Sequence, residues 1–188
     1  MICSIHQPNF FPWYPFFQKI KNCDVFVLLT NCQFEKNNFQ NRFNMNDTWY
    51  TMSVNKGLEP INSKKYVSYE KDWKNIKSNL PEYSKILNEF DSCISENLEK
   101  TNVKIIKKIC KLLKIETQLV TDYPTTLKST DRLIDLCKYY NSDKYLSGSS
   151  GSKYMDLTLF KNNNISITFQ ESSLTIKKPI LQILKEIL

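Results

Sequence analysis

The stretch ICSIHQPNFFPWYPFFQKIKNCDVFVLLT, residues 2–30, decides the fold. ICSI (2–5) is short and β-prone, and the His-Gln-Pro that follows ends it, because proline cannot continue a strand ladder. FFPWYPFFQKIKN is apolar enough to be buried, and its latter half reads as a short helix. DVFVLLT (24–30) is a continuous apolar run of strand length, as expected for a strand covered on both faces. Strand, loop with helix, and strand within 30 residues make a compact βαβ unit. The expectation is an α/β protein with a mostly parallel sheet flanked by helices.

Working outward, CQFEKNNFQNRFNM (32–45) is polar and amide-rich, with Phe34, Phe39 and Phe43 interleaved. TWYTMSV (48–54) alternates like a strand. Helices follow. PEYSKILNEFDSCISENL (81–98) puts Tyr83, Ile86, Leu87, Phe90, Ile94 and Leu98 on one helical face. Thr101 is placed to cap the next helix, which carries Ile105, Ile106, Ile109, Leu112 and Leu113 inside. TQLVT (117–121) reads as a strand, and STDRLIDLCKYY (129–140) as a helix capped by its serine or threonine. DKYLSGSSGSKYM is a strand–loop–helix candidate, ISITF (165–169) a strand, and KPILQILKEIL a final helix with proline in its first turn. The organisation expected is one domain over residues 1–188, with a helical lobe inserted at about 69–115.

Composition narrows the function classes. A net charge of +7 over 188 residues favours anionic partners such as nucleotides, phosphates, nucleic acid or anionic lipid, without choosing among them. The most basic run, KIIKKICKLLK (104–114), has apolar positions at helical spacing and reads as an amphipathic helix with a solvated basic face. No run approaches the 18 or so apolar residues that a membrane span needs. The amino terminus lacks the pattern of a signal peptide. The six cysteines form no CxxC pair and mostly sit in apolar segments, as free thiols in a reducing cytoplasm would. One histidine and scattered cysteines make no metal set, so no metal is expected.

Three features carry chemistry. His6 is the only imidazole, and a group with an ordinary pKa near 6.5 suits proton transfer near neutrality. It stands just after a strand, where open α/β sheets bind ligands, on a proline-stiffened loop beside Gln7 and Asn9; a structural role is the plain alternative. Two of the three glycines, Gly148 and Gly151, fall in YLSGSSGS. Such a bend can present N–H groups to a phosphate or serve as an ordinary turn; it is neither a Walker nor a GxGxxG motif. Arg42 is one of only two arginines among 26 basic residues. That suggests a planar, two-pronged contact with phosphate or carboxylate, or a buried ion pair. Asp24 is placed to orient His6, to pair with Lys19 or Arg42, or simply to end a turn. No nucleophile-elbow or RNA-recognition signature is present.

These residues resemble the WbqC-like family of bacterial proteins. The pattern HQPxYxPWxGFFxKI is matched by His6, Gln7, Pro8, Pro12, Trp13, Phe17, Lys19 and Ile20. The following aDvFVxxDxxQFxxxxxxNR is matched by Asp24, Phe26, Val27, Gln33, Phe34, Asn41 and Arg42. A later tryptophan strand and Y-L-S-G segment are matched by Trp49, Tyr145, Ser147 and Gly148. Pro15 stands where the family has glycine, Thr30 and Asn31 replace its acidic pair, and ESSLTIKK (171–178) replaces its histidine- and tyrosine-containing tail.

The resemblance implies work on surface polysaccharide such as the O-antigen of lipopolysaccharide. The implied reaction is N-acylation or a similar change to an amino sugar on a nucleotide carrier. On that expectation His6 and Asp24 are catalytic. Gln7, Asn9, Trp13, Lys19, Gln33, Asn41 and Arg42 bind substrate, together with Ser147, Gly148, Ser149 and Tyr154. A diphosphate would rest on Arg42, Lys19 and the Ser147–Ser152 loop, and the rings of Trp13 and Phe10 would stack on a base or sugar. The donor is open: an acyl-CoA or another activated acyl group. The partner is a nucleotide sugar rather than a nucleic acid, in the cytoplasm, with the oligomeric state undetermined. A hydrolase or ligase acting on an acyl or phosphate ester, and a non-catalytic phosphate- or nucleic-acid-binding protein, are the alternatives.

Overall fold

A computed structural model describes residues 1–171 and 178–188. Strand β1 (Ile2–His6), helix α1 (Tyr14–Lys21) and strand β2 (Val25–Leu28) build the βαβ unit expected from the opening stretch. All four residues of β2 are buried, which is why the run carries no polar alternation. A long connection follows. It holds β3 (Arg42–Met45) and β4 (Thr48–Thr51), then α2 (Tyr69–Ser78), α3 (Ser84–Asn88) and α4 (Leu98–Leu112). The chain re-enters the sheet as β5 (Gln118–Thr121), then runs through α5 (Ser129–Tyr139), β6 (Lys144–Ser147), α6 (Leu157–Asn162), β7 (Ser166–Phe169) and α7 (Ile180–Ile187).

The main sheet has the order β5-β2-β1-β6-β7, and every neighbouring pair is parallel. The α/β class, the mostly parallel sheet and the helical insertion between β2 and β5 are all as expected. One face carries Phe26, Leu28 and Leu146, packed with α1, α4, α7 and the inserted helices in one continuous apolar cluster. The other carries Cys3, Ile5, Val25, Val27 and Tyr145 against α5 and α6. Each fully buried large side chain here contributes about 1.5–3 kcal/mol, so the two layers hold the strand ends rigidly.

Several expectations are corrected. The strand expected over 48–54 is shorter, Thr48–Thr51, and pairs antiparallel with β3 across Asn46 and Asp47, both with positive φ, as a two-residue hairpin turn of the primed type requires. The helix expected over 81–98 is broken into α3 and two 3-10 turns, Pro81–Tyr83 and Asp91–Cys93. A tertiary anchor dominates there: Trp73 Nε1 and Lys77 Nζ of α2 donate to Asp91 at 2.6 and 2.8 Å. Asn97, not Thr101, caps α4, accepting from the Lys100 amide; Thr101 lies inside the helix and accepts from Ser95 N–H. The cap position of α5 is Lys128 and makes no side-chain cap bond; Thr130 is used instead to accept from the Asp156 amide. In the expected variant tail, residues 172–177 lie outside the described residues. Among those described, no helix is long and apolar enough to cross a membrane.

Candidate functional site

The strand order places a topological switch between β1 and β6, because the chain winds outward from β1 in both directions. Ligands of such sheets sit beyond the carboxyl ends of the strands near the switch. At that edge stand His6 and Gln7 after β1, Thr30 and Asn31 after β2, Asp122 after β5, and Ser147 and Gly148 at β6.

His6 Nδ1 lies 2.9 Å from the Gln7 carbonyl oxygen. A carbonyl only accepts, so Nδ1 carries the proton and Nε2 keeps its lone pair. The ring meets the edge of Phe16 at 5.2 Å and is half-buried. Burial first, and the Lys19 ammonium second, push its pKa down to about 4, against the pull of the Gln7 carbonyl. His6 is therefore neutral at physiological pH. Among the described residues Nε2 has no partner.

Two expected partners of His6 stand elsewhere. Asp24 lies at the amino-terminal edge of the sheet, where Oδ2 accepts from the Ile2 amide at 2.7 Å; a side chain before β2 is a strand length away from one that ends β1. Lys19 is turned into the core at 4% exposure, with Nζ donating to the Ile5 carbonyl at 3.1 Å. Burial lowers its pKa to about 8, the nearby Cys23 and Cys3 thiols opposing. It is no surface phosphate ligand.

The hairpin claims two more. Asn41 is buried, and its Nδ2 donates to the Met52 carbonyl. Arg42 stacks on Trp49 at 4.1 Å and donates to the Asn37 carbonyl, so the expected two-pronged phosphate contact is replaced by a local one. Asn9 is buried, Phe10 is sealed at 0% exposure, and Trp13 stands out at 53%. The ring of Phe10 is thereby closed to stacking.

The serine–glycine bend is built differently from the expectation. Neither Gly148 nor Gly151 has positive φ. Gly151 is demanded by packing: a Cβ there would lie 1.9 Å from Ser147 Oγ, which itself points back to the Gly148 carbonyl at 3.1 Å. At Gly148 a Cβ would meet nothing within 4 Å. Ser149 is exposed.

What the edge does form is a cleft of about 630 Å³ lined by Gln7, Asn31, Cys32, Gln33, Glu35, Asp122, Lys128, Arg132, Tyr154 and others. Gln7, Gln33 and Tyr154 are brought together in it. His6, Arg42 and Ser147–Ser149 do not line it. On its floor Asp122 Oδ1 accepts from the Thr30 amide (2.7 Å) and hydroxyl and from the Asn31 amide and side chain. Oδ2 receives Arg132 at 3.1 Å, and Arg132 also reaches Asp135. Thr30 and Asn31, standing where an acidic pair was expected, are thus donors to a carboxylate from β5. Gln7 bonds Glu35 and Gln40 beside them.

Sequence reasoning missed Glu35, Gln40 and Asp122. Asp122 had a signal: a carboxylate directly after an apolar strand run lies at the ligand-binding edge of a parallel sheet. Glu35 and Gln40 had a weaker one, the density of amides in residues 32–45. Among the described residues no three His, Cys, Asp or Glu side chains gather as metal ligands would.

The model of the WbqC-like protein family matches residues 7–179. An uncharacterized protein of Mycobacterium tuberculosis, Rv1507c, is 25% identical over 185 residues, covering 88% of this chain and 80% of its own. Among solved structures, the Zn(II)-bound AdcAII H205L mutant variant of Streptococcus pneumoniae covers 99% of this chain and 95% of its own. Its identity is 12% and its TM-score 0.25, too low to carry an argument.

Proposed function

This chain belongs to the WbqC-like protein family, and from that premise we propose that it is a transferase modifying an amino sugar on a nucleotide carrier, by N-acylation, in surface-polysaccharide assembly such as that of O-antigen. The observation that carries the reading is the cleft at the carboxyl edge of the sheet. Its amides, carboxylates, tyrosine and two cations suit a ligand rich in hydroxyls with a charged tail. Lys128 is the exposed cation within reach of a diphosphate; Arg132 is spent on Asp122 and Asp135, and Lys19 and Arg42 lie outside the cleft. The six unpaired thiols accord with a cytoplasmic setting, where nucleotide sugars and activated acyl groups are made.

In the proposed step the sugar amine attacks the acyl carbonyl carbon. The C–N bond forms and the bond to the leaving group breaks. The amine proton passes to a base and then to the leaving group. His6, unprotonated at Nε2, is the proposed base; it does not line the cleft itself, so it acts only on an amine that reaches past Gln7. Asp24 has no part in it.

The test is thermal unfolding with UDP- and dTDP-sugars, acyl-CoAs and a short oligonucleotide. Sugar nucleotide at 100 times its Kd stabilises by about 2.7 kcal/mol, or about 5–11 °C for a chain of this size. No shift with any sugar nucleotide refutes the reading. A shift with the oligonucleotide that collapses with salt favours the non-catalytic alternative. Full turnover by folded His6→Gln protein removes the histidine from the mechanism.

A further inference from the structure

A closed ring of hydrogen bonds beside the cleft determines its own direction. The Glu35 amide N–H, which can only donate, gives its proton to Gln40 Oε1 at 2.9 Å. Gln40 Nε2 must then face outward, and it donates to Gln7 Oε1 at 2.7 Å. That leaves Gln7 Nε2 to donate to Glu35 Oε1 at 3.1 Å and to Cys32 Sγ at 3.4 Å. Asn38 Nδ2 takes the other Glu35 oxygen at 2.5 Å. Both oxygens of Glu35 are thus acceptors, oriented by neutral amides that cancel none of its charge. A carboxylate offers about four lone-pair sites, so others remain for a ligand.

Glu35 lines the cleft. Among the described residues it forms no ion pair, although the chain carries 26 basic residues and Lys36 is adjacent. Gln40, by contrast, is completely buried and its side chain is spent entirely on this ring. A buried amide that aims an unpaired carboxylate into a cleft prepares that carboxylate for a cation.

We infer that Glu35 receives the protonated amine of the sugar, which gives up one proton to solvent before it attacks, and that Gln40, acting through Gln7, positions the carboxylate. This rests on the transferase reading and assigns its choice between an amino sugar and the hydroxyl counterpart. Glu35 is exposed, so its contact with the ammonium gives a preference for the amine of up to about 5-fold in affinity.

The test is calorimetric binding of UDP- and dTDP-sugars with a free amine at C2, C3 or C4, each paired with its hydroxyl and N-acetyl counterparts. The wild type binds at least one amine about 2- to 5-fold tighter than its counterparts, and the preference fades as the amine loses its proton at high pH. Glu35→Gln abolishes the preference, lowering the affinity of the amine sugar more than that of its hydroxyl counterpart. Gln40→Met reduces the preference without abolishing it; should that buried change prevent folding, Glu35→Gln decides alone. Equal binding of amine and hydroxyl by the wild type, or a preference untouched in Glu35→Gln, overturns the inference and leaves the transferase reading standing. Failure of every sugar nucleotide to bind removes that reading and the inference with it.

Discussion

Titration of His6 reads the electrostatics of the strand edge in a single signal, because it is the only imidazole in the chain. Its Hε1 proton, followed by NMR from pH 8 to 3.5, is expected to move with a midpoint near 4 rather than the 6.5 or so of an unfolded chain. The folded pKa is depressed, so the unfolded chain takes up the proton first as pH falls. Stability from the neutral, buried ring is therefore full above about pH 6.5 and is lost progressively as pH falls to about 4. A gap of about 2.5 units sets a ceiling of about 3.4 kcal/mol. The ring keeps some solvent contact, so about 1–2 kcal/mol is the expected loss, or about 2–8 °C in Tm. Carboxylates also titrate in this range, so the assay is the difference in Tm between wild type and His6→Gln at pH 7 and pH 4. Replacing the buried cation, as in Lys19→Met, raises the His6 midpoint toward 6.5 and shrinks the acid loss. A native midpoint near 6.5, or one unmoved by Lys19→Met, refutes the assignment of His6 to a desolvated site beside Lys19.

Asp122→Ala takes one of two carboxylates from Arg132, buried at 8% side-chain exposure, and strips the Thr30 and Asn31 amides of their acceptor, and is expected to cost about 3–5 kcal/mol in urea unfolding; a change under 1 kcal/mol contradicts the cleft floor described. Gly151→Ala forces a Cβ against Ser147 Oγ and costs about 1–3 kcal/mol, partly recovered in the double variant with Ser147→Ala. Gly148→Ala, with open space around its Cβ, shifts stability by less than about 0.5 kcal/mol; equal losses at the two glycines would refute the packing account. Of the six thiols, Cys32 alone is not buried, so Ellman's reagent is expected to modify one thiol in the native protein and all six in denaturant. Burial raises the Cys32 thiol pKa, so the native reaction quickens as pH rises; two or more fast thiols would contradict the core packing.

The strand–helix–strand reading of residues 2–30 was legible because each segment carried its own period and its own stop. The same holds for β5, β6 and β7, which are short apolar runs bounded by polar residues. The 81–98 segment misled because its apolar spacing is helical throughout, while the Asp91 anchor to Trp73 and Lys77 belongs to another element. Thr101 misled for a similar reason: a better acceptor, Asn97, stood one turn earlier. Lys19 and Arg42 read as exposed cations because charge is visible in a sequence and burial is not.

The order of residues alone therefore determined the parallel α/β class, the covered strands and a histidine ending the first of them, since local periodicity and proline stops act within a few residues. Only the tertiary structure decided which polar groups share a cleft. Strand order joins the end of β5 to those of β1 and β2, more than 90 residues earlier in the chain. It also sends Asp24 to the opposite edge from His6, and it lets one backbone N–H orient Gln40, Gln7 and the carboxylate of Glu35.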